Sequence, residues 1–205
     1  MTSKSLSSVP KLSNVKSVAV SLAQLGPFII LLVVFLGASV AVPRFLSALN
    51  LVNVAYQAAV FIVLAVGMTF VITGGGIDLS IGSQVALIAV VMSGWIHASD
   101  WPVGLAIIAA IGFGMAIGAF NGLLIALTGI PDFIITLAGL ESFRGLALLH
   151  SAGKIWDRFP DSFRSIGLTR VFGLPLPVII ALVIALMATR QLFQLFYERL
   201  GERTA

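Results

Sequence analysis

The chemistry this chain offers is concentrated in Gly74-Gly75-Gly76-Ile77-Asp78-Leu79-Ser80-Ile81-Gly82-Ser83. Three consecutive glycines stop a helix, since each costs about 1 kcal/mol relative to alanine in a helix interior. Asp78 or Ser80 can then cap the helix that follows. A carboxylate there also sits favourably against the helix dipole. Inside a bilayer, such non-helical backbone has to be buried in protein or line a wet cavity. The segment reads either as a capped turn at the membrane surface or as a broken helix beside a transport path.

A second group is Gly114, Gly118 and Gly122, spaced four apart, with Ala110 and Ala126 extending the line. Small residues on one helix face let backbones approach closely in lipid. Asn121 stands beside this stripe. It can hydrogen-bond to a neighbouring helix or face a pathway. A third group is Ile130-Pro131-Asp132-Phe133-Ile134-Ile135-Thr136, followed by Glu141 and Arg144. Pro131 suits the start of a helix, and Asp132 complements its N-terminal dipole. Glu141 and Arg144 are three apart, so they share a face and are placed to pair. Charges inside a spanning segment generally face a bundle interior or a cavity.

Other chemistries lack their residues. His97 and His150 have no ligand-like spacing, which argues against zinc. Lys154 follows Gly153 but precedes Ile155, and Leu148 stands where a P-loop needs glycine. No nucleophile elbow is present. No cofactor or metal is expected, and the chain holds no cysteine.

These groups must be positioned by membrane helices. Of 205 residues, 59% are apolar and 10% charged, whereas a soluble domain carries about 25% charge. Too few polar residues exist to coat a soluble globule, and the hydrophobicity excludes disorder. The formal charge of +4 reads as cytoplasmic Lys and Arg, not as nucleic-acid binding. Continuous apolar runs without alternation favour helices over a barrel. The expected fold is an all-α polytopic bundle of about six spans: Pro27–Val42, Val54–Ile72, Ile81–Ile96, Val103–Leu127, Phe133–Leu149 and Val178–Ala188, the last with a possible start at Val171. A cleaved signal peptide is the alternative for the first run. Residues 1–24 form a tail whose Lys4, Lys11 and Lys16 place it in the cytoplasm. Residues 25–188 form the membrane domain, and 189–205 a charged tail that could be a surface helix. Six crossings put His150–Arg170 outside, although its Lys154, Arg158, Arg164 and Arg170 oppose the positive-inside rule. A re-entrant segment would resolve the conflict, as would a folded external element.

The run Gly67-Met68-Thr69-Phe70-Val71-Ile72-Thr73-Gly74-Gly75-Gly76-Ile77-Asp78-Leu79-Ser80-Ile81-Gly82-Ser83 closely resembles the permease subunits of ribose-type sugar ATP-binding cassette importers. The resemblance continues through Asn121-Gly122-Leu123-Leu124, Ile130–Ala138 and Arg144-Gly145-Leu146-Ala147, and covers roughly Leu25 to Leu186. It implies a non-enzymatic subunit of a bacterial inner membrane, with a second permease subunit, a periplasmic sugar-binding protein and a cytoplasmic ATPase as partners. It further implies alternating access. Asp78, Ser80, Asn121 and Arg144 are the candidate pathway or gating residues. Gly114, Gly118 and Gly122 are the candidate packing residues, and Gly74, Gly75 and Gly76 the helix break. Permeases of this type are longer and continue with an ATPase-contacting segment of pattern Gly-Asn-x-x-Ala-Ala-x-x-Ser-Gly-Ile. Arg190–Ala205 lacks that pattern, so the resemblance implies a C-terminally truncated permease. Two other function classes fit the composition: an ion-coupled secondary carrier, which also uses broken helices, and a noncatalytic membrane assembly protein associating through the glycine stripe.

Overall fold

The computed structural model describes residues 12–204, with side-chain environments for 25–194. The elements are α1 (Leu12–Ala41), α2 (Ala48–Thr73), α3 (Ile81–Ala98), α4 (Val103–Thr128), α5 (Asp132–Ser151), α6 (Asp161–Leu168), β1 (Arg170–Val171), β2 (Leu174–Pro175) and α7 (Leu176–Thr204). The chain divides into two units, Met1–Leu51 and Val52–Ala205.

The first unit holds α1 and the turn into α2. Helix α1 begins at Leu12, well inside the stretch read as a polar tail, and runs through Pro27. Beyond it, the Phe35 and Phe45 rings meet edge to face at 5.5 Å. Ser47 Oγ accepts the N–H of Asn50 at 3.3 Å, an N-cap for α2. The Asn50 side-chain amide donates back to the Phe45 carbonyl at 2.7 Å.

The second unit is a helical bundle in which α3 and α5 run side by side in the same direction, Ser80 lying near Gly139 and Gly94 near His150. Leu87 of α3, Ile117 of α4, and Phe143 and Ala147 of α5 form one buried cluster. Ala59 of α2 packs with Val178 and Ala181 of α7 in another. Among the described residues, five helices, α2, α3, α4, α5 and the Leu176–Gln194 part of α7, are long and apolar enough to cross a membrane. Helix α4 buries Ala106, Ala110, Ile117 and Asn121 but exposes Ile108, Ile111, Met115, Phe120, Leu123 and Leu127. Large apolar side chains on the outer face suit hydrocarbon, not water. The chain is thus an all-α, multi-pass membrane protein.

The last span differs from its expected start. Val171 lies in a hairpin, where Arg170 pairs Pro175 and Val171 pairs Leu174. Phe172 (φ 52°) and Gly173 (φ 81°) form its turn, with the two positive φ values that a tight hairpin needs. Helix α7 therefore starts at Leu176, and it continues without interruption through the stretch read as a separate tail.

Candidate functional site

Helix α2 ends in a Schellman motif built on the three glycines. Gly75 adopts φ 87°, a left-handed conformation that glycine takes without strain. The Gly76 N–H bonds the Val71 carbonyl and the Gly75 N–H bonds the Ile72 carbonyl, each at 2.9 Å, the paired bonds that close this motif.

The backbone emerging from the motif is held by α5. Ile77 donates its N–H to the Asp132 carboxylate. Thr136, one turn further along α5, donates its hydroxyl to the Ile77 carbonyl at 3.2 Å. Both backbone polar groups of Ile77 are thus satisfied by two side chains at positions i and i+4, which one helix face presents together. A β-carbon on Gly76 would stand 3.3 Å from Asp132 Oδ2, so this close approach depends on glycine. Asp132 was expected to complement the dipole of its own helix. It also reaches across to this break.

Asp78 and Ser80 come next. Asp78 Oδ1 accepts the Ser80 N–H at 2.7 Å and the Ser80 hydroxyl at 2.6 Å. Gln84, one turn into α3, donates its amide to Asp78 Oδ2 at 3.1 Å and to Ser80 Oγ at 2.7 Å. Asn121 of α4 donates to Ser80 Oγ at 3.2 Å. The hydroxyl of Ser80 therefore uses its one donor and both acceptor positions, and the residue is fully buried. Ser80 occupies the N-cap position of α3 but makes no side-chain cap bond, because its oxygen is committed to this network. Asp78 is half-buried, with its carboxylate fixed by three donors.

Gly139 of α5 closes the site. A β-carbon there would lie 3.1 Å from Phe143 Cε2, 3.4 Å from Ser80 Cβ and 3.6 Å from Asn121 Nδ2. Three helices and the break thus converge on Ser80. Of the four expected pathway residues, Asp78, Ser80 and Asn121 come together. Arg144 does not: it is exposed on α5, two turns beyond Thr136 and outside the network. Glu141 and Arg144 do not pair, and among the described residues the ion pair present is Arg164 with Asp161, at 3.7 Å. A β-carbon on Gly114 would meet Ile88 Cδ1 at 3.1 Å, whereas β-carbons on Gly118 and Gly122 would meet nothing within 4 Å. The buried line of α4 runs through Ala106, Ala110, Ile117 and Asn121, and so shares Ala110 with the stripe.

The sequence reading missed Gln84 and Gly139, and named Thr136 within the Ile130–Thr136 group without giving it a role. A Gln four residues after a capping Ser was the available clue for Gln84, since both share a helix face. At the opposite end of the bundle, His97 of α3 and His150 of α5, read as isolated, both lie near Trp156, with ring centroids 6.3 and 6.4 Å from it.

The family described as branched-chain amino acid transport system / permease component matches residues 50–197. The chain belongs to this family. The match includes the whole helix break, and its far end lies beyond Thr189, within the stretch read as a divergent tail. The ribose import permease protein of Bacillus subtilis (strain 168) is 38% identical over 158 residues, 76% of this chain and 49% of that protein. The D-allose transport system permease protein of Escherichia coli (strain K12) is 34% identical over 160 residues, 78% of this chain and 49% of that protein. The xylose transport system permease protein of the same organism is 42% identical over 107 residues, 51% of this chain and 26% of that protein. The resemblance to sugar permeases read from the Gly-Gly-Ile-Asp-Leu-Ser element is borne out by these relatives. The chain spans about half the length of the ribose and allose permeases it matches. No solved structure matches.

Proposed function

We propose that this chain helps to form the translocation pathway of an ATP-binding cassette importer for a monosaccharide or related small carbohydrate, in a bacterial inner membrane. The relatives named for ribose, allose and xylose support the substrate class. The observation that carries the pathway reading is Asp78: a half-buried carboxylate, held rigidly at a helix break within a multi-helix bundle. Ionisable groups and irregular backbone at membrane depth are costly unless they line a cavity or are buried in protein. A fixed carboxylate is also a good acceptor for sugar hydroxyls. In this reading a second permease subunit completes the pathway and a periplasmic binding protein delivers the sugar. A cytoplasmic ATPase drives alternation between outward and inward access.

The test is uptake of labelled ribose, allose and xylose by cells carrying this chain together with its ATPase and binding-protein partners. Uptake of one of these sugars is expected to stop when the ATPase is disabled and to ignore a protonophore. Asp78→Ala is expected to lower uptake severalfold with membrane insertion intact. Uptake that a protonophore abolishes and that ignores the ATPase would identify a secondary carrier. A stable partner complex with no uptake phenotype would identify an assembly protein.

A further inference from the structure

We propose that Glu141 and Arg144 form reciprocal ion pairs across a seam between the α5 helices of two copies of this chain. Both side chains are exposed, near the middle of the 20-residue helix α5. Among the described residues the ion pair present joins Arg164 to Asp161, so neither has a charged partner within the chain. Helices α2, α3 and α4 contain no Asp, Glu, Lys or Arg. The spanning part of α7 carries Arg190 close to its end. A charged side chain facing hydrocarbon is costly, and such residues face a protein neighbour or a wet cavity. The neighbours α3 and α4 take a different side of α5, the one that carries Thr136, Gly139, Phe143 and Ala147. Another surface must therefore cover Glu141 and Arg144.

The residues around the two charges identify that surface. Ile134, Leu137, Glu141, Arg144 and Leu148 follow one another in alternating steps of three and four. This is the spacing of a seam along which two helices cross at a shallow left-handed angle. All five residues are exposed. Apolar side chains hold the two ends of the stripe, and one acid and one base hold its centre. The stripe is complementary to itself. A two-fold axis along the bilayer normal keeps both copies in the same orientation, so their α5 helices run parallel and in register. Three residues rise about 4.5 Å, and packed helix axes lie about 8–10 Å apart. Glutamate and arginine side chains span that offset together, and the symmetry repeats the pair. The arginine fork also suits a carboxylate in a desolvated seam. A neighbour of one charge sign, or of none, would leave one of the two groups unmatched. The inference rests on the reading that a second permease subunit completes the pathway. It makes that subunit a copy of this chain and places the contact on α5.

Two differently tagged full chains, co-expressed and solubilised in one mild detergent, test the seam by co-purification. The unsubstituted copies are expected to co-purify. Glu141→Arg leaves only bases at the centre of the seam, and Arg144→Glu only acids. Each of these chains should lose self-association by about tenfold or more, through like-charge contact. Co-expressed with each other, the two should recover it. The chain carrying both substitutions keeps one acid and one base, and should self-associate like the original. Recovery in the mixed pair is a result that instability of the single variants cannot produce. Unsubstituted copies that stay apart overturn the proposal and remove a second copy as the completing subunit. Single-charge chains that associate undiminished, or a mixed pair that does not recover, overturn the seam and leave the two-subunit reading standing. No sugar or ATPase enters this readout, so its failure is distinct from failure of the import reading.

Should a single-charge chain fail to insert, cross-linking in membranes decides. The chain has no cysteine, so single cysteines report cleanly. Leu148 lies on the seam and Leu146 on another side of α5, and both are exposed. Under oxidation Leu148→Cys is expected to give a disulfide-linked dimer and Leu146→Cys to remain monomeric. Equal cross-linking at the two positions, or none at Leu148→Cys, overturns the seam.

Discussion

Asn121 of α4 donates its side-chain amide to Ser80 Oγ across 3.2 Å, and both residues are buried. This bond joins a helix interior to the first residue after a helix break, 41 positions apart in the chain. Ser80→Ala removes the acceptor that Asn121 and Gln84 share and the donor that Asp78 receives. Leaving a buried polar group without its partner costs about 1–3 kcal/mol. Ser80→Ala is expected to lose stability in that range, whereas Ser83→Ala, whose hydroxyl only returns to the Ser80 carbonyl, should lose less. Thermal unfolding of the two variants in one detergent makes the comparison. Equal losses would mean that the Ser80 network adds nothing beyond an ordinary helix-end bond.

Asp132 and Thr136 act on one residue, Ile77, from one face of α5. Groups that share a partner couple, with interaction energies of about 0.5–3 kcal/mol. In the cycle of Asp132→Ala, Thr136→Val and the double variant, the second substitution is expected to cost less once the first is in place. The break is already released from α5 at that point. Additive losses would show that the two side chains hold Ile77 independently. Asp132→Asn retains an oxygen acceptor for the Ile77 N–H and is expected to fall between Asp132→Ala and the unsubstituted chain.

The helix break was legible because glycine, aspartate and serine act locally. Gly74–Gly76 stop α2 through backbone freedom, and Asp78 lies two residues from the amide it binds. The grip on Ile77 was not legible, since Asp132 and Thr136 reach it across 55 and 59 residues. No local rule links such positions. The face of α4 was not legible for a different reason. The helix is apolar all round, so periodicity cannot separate its lipid side from its protein side. The small-residue spacing pointed to Gly118 and Gly122, while the buried line runs through Ile117 and Asn121. The hairpin before α7 turns on Phe172-Gly173, where phenylalanine gives no signal for a positive φ.

We propose that the exposed segment carrying Arg158 and Arg164 meets the binding protein. Both are exposed, and Arg164 contacts Asp161 at 3.7 Å in a solvent-facing pair. Such pairs contribute little to stability. Reversing both charges should therefore leave the fold intact, so that any loss of docking is read directly. Arg158→Glu with Arg164→Glu is expected to weaken capture of the binding protein at least tenfold at low salt, and less at high salt, where screening has already removed the attraction. Unchanged capture at low salt would remove this loop from the docking surface.

Gly139 and Gly118 separate two uses of glycine in the same bundle. A methyl group at position 139 meets Phe143, Ser80 and the Asn121 amide, two of them within 3.4 Å, whereas a methyl at 118 meets nothing within 4 Å. Overpacking a filled site costs about 1–3 kcal/mol. In an open helix position, alanine improves on glycine by roughly 1 kcal/mol. Gly139→Ala is therefore expected to lower the unfolding temperature, and Gly118→Ala to raise it slightly or leave it unchanged. Gly114→Ala should cost little, because the atom it meets is the mobile end of Ile88. If Gly118→Ala leaves the isolated chain stable but disrupts its assembly with other subunits, the stripe serves association between chains. If it destabilises the isolated chain as much as Gly139→Ala, position 118 is packed within the chain and the association role is overturned.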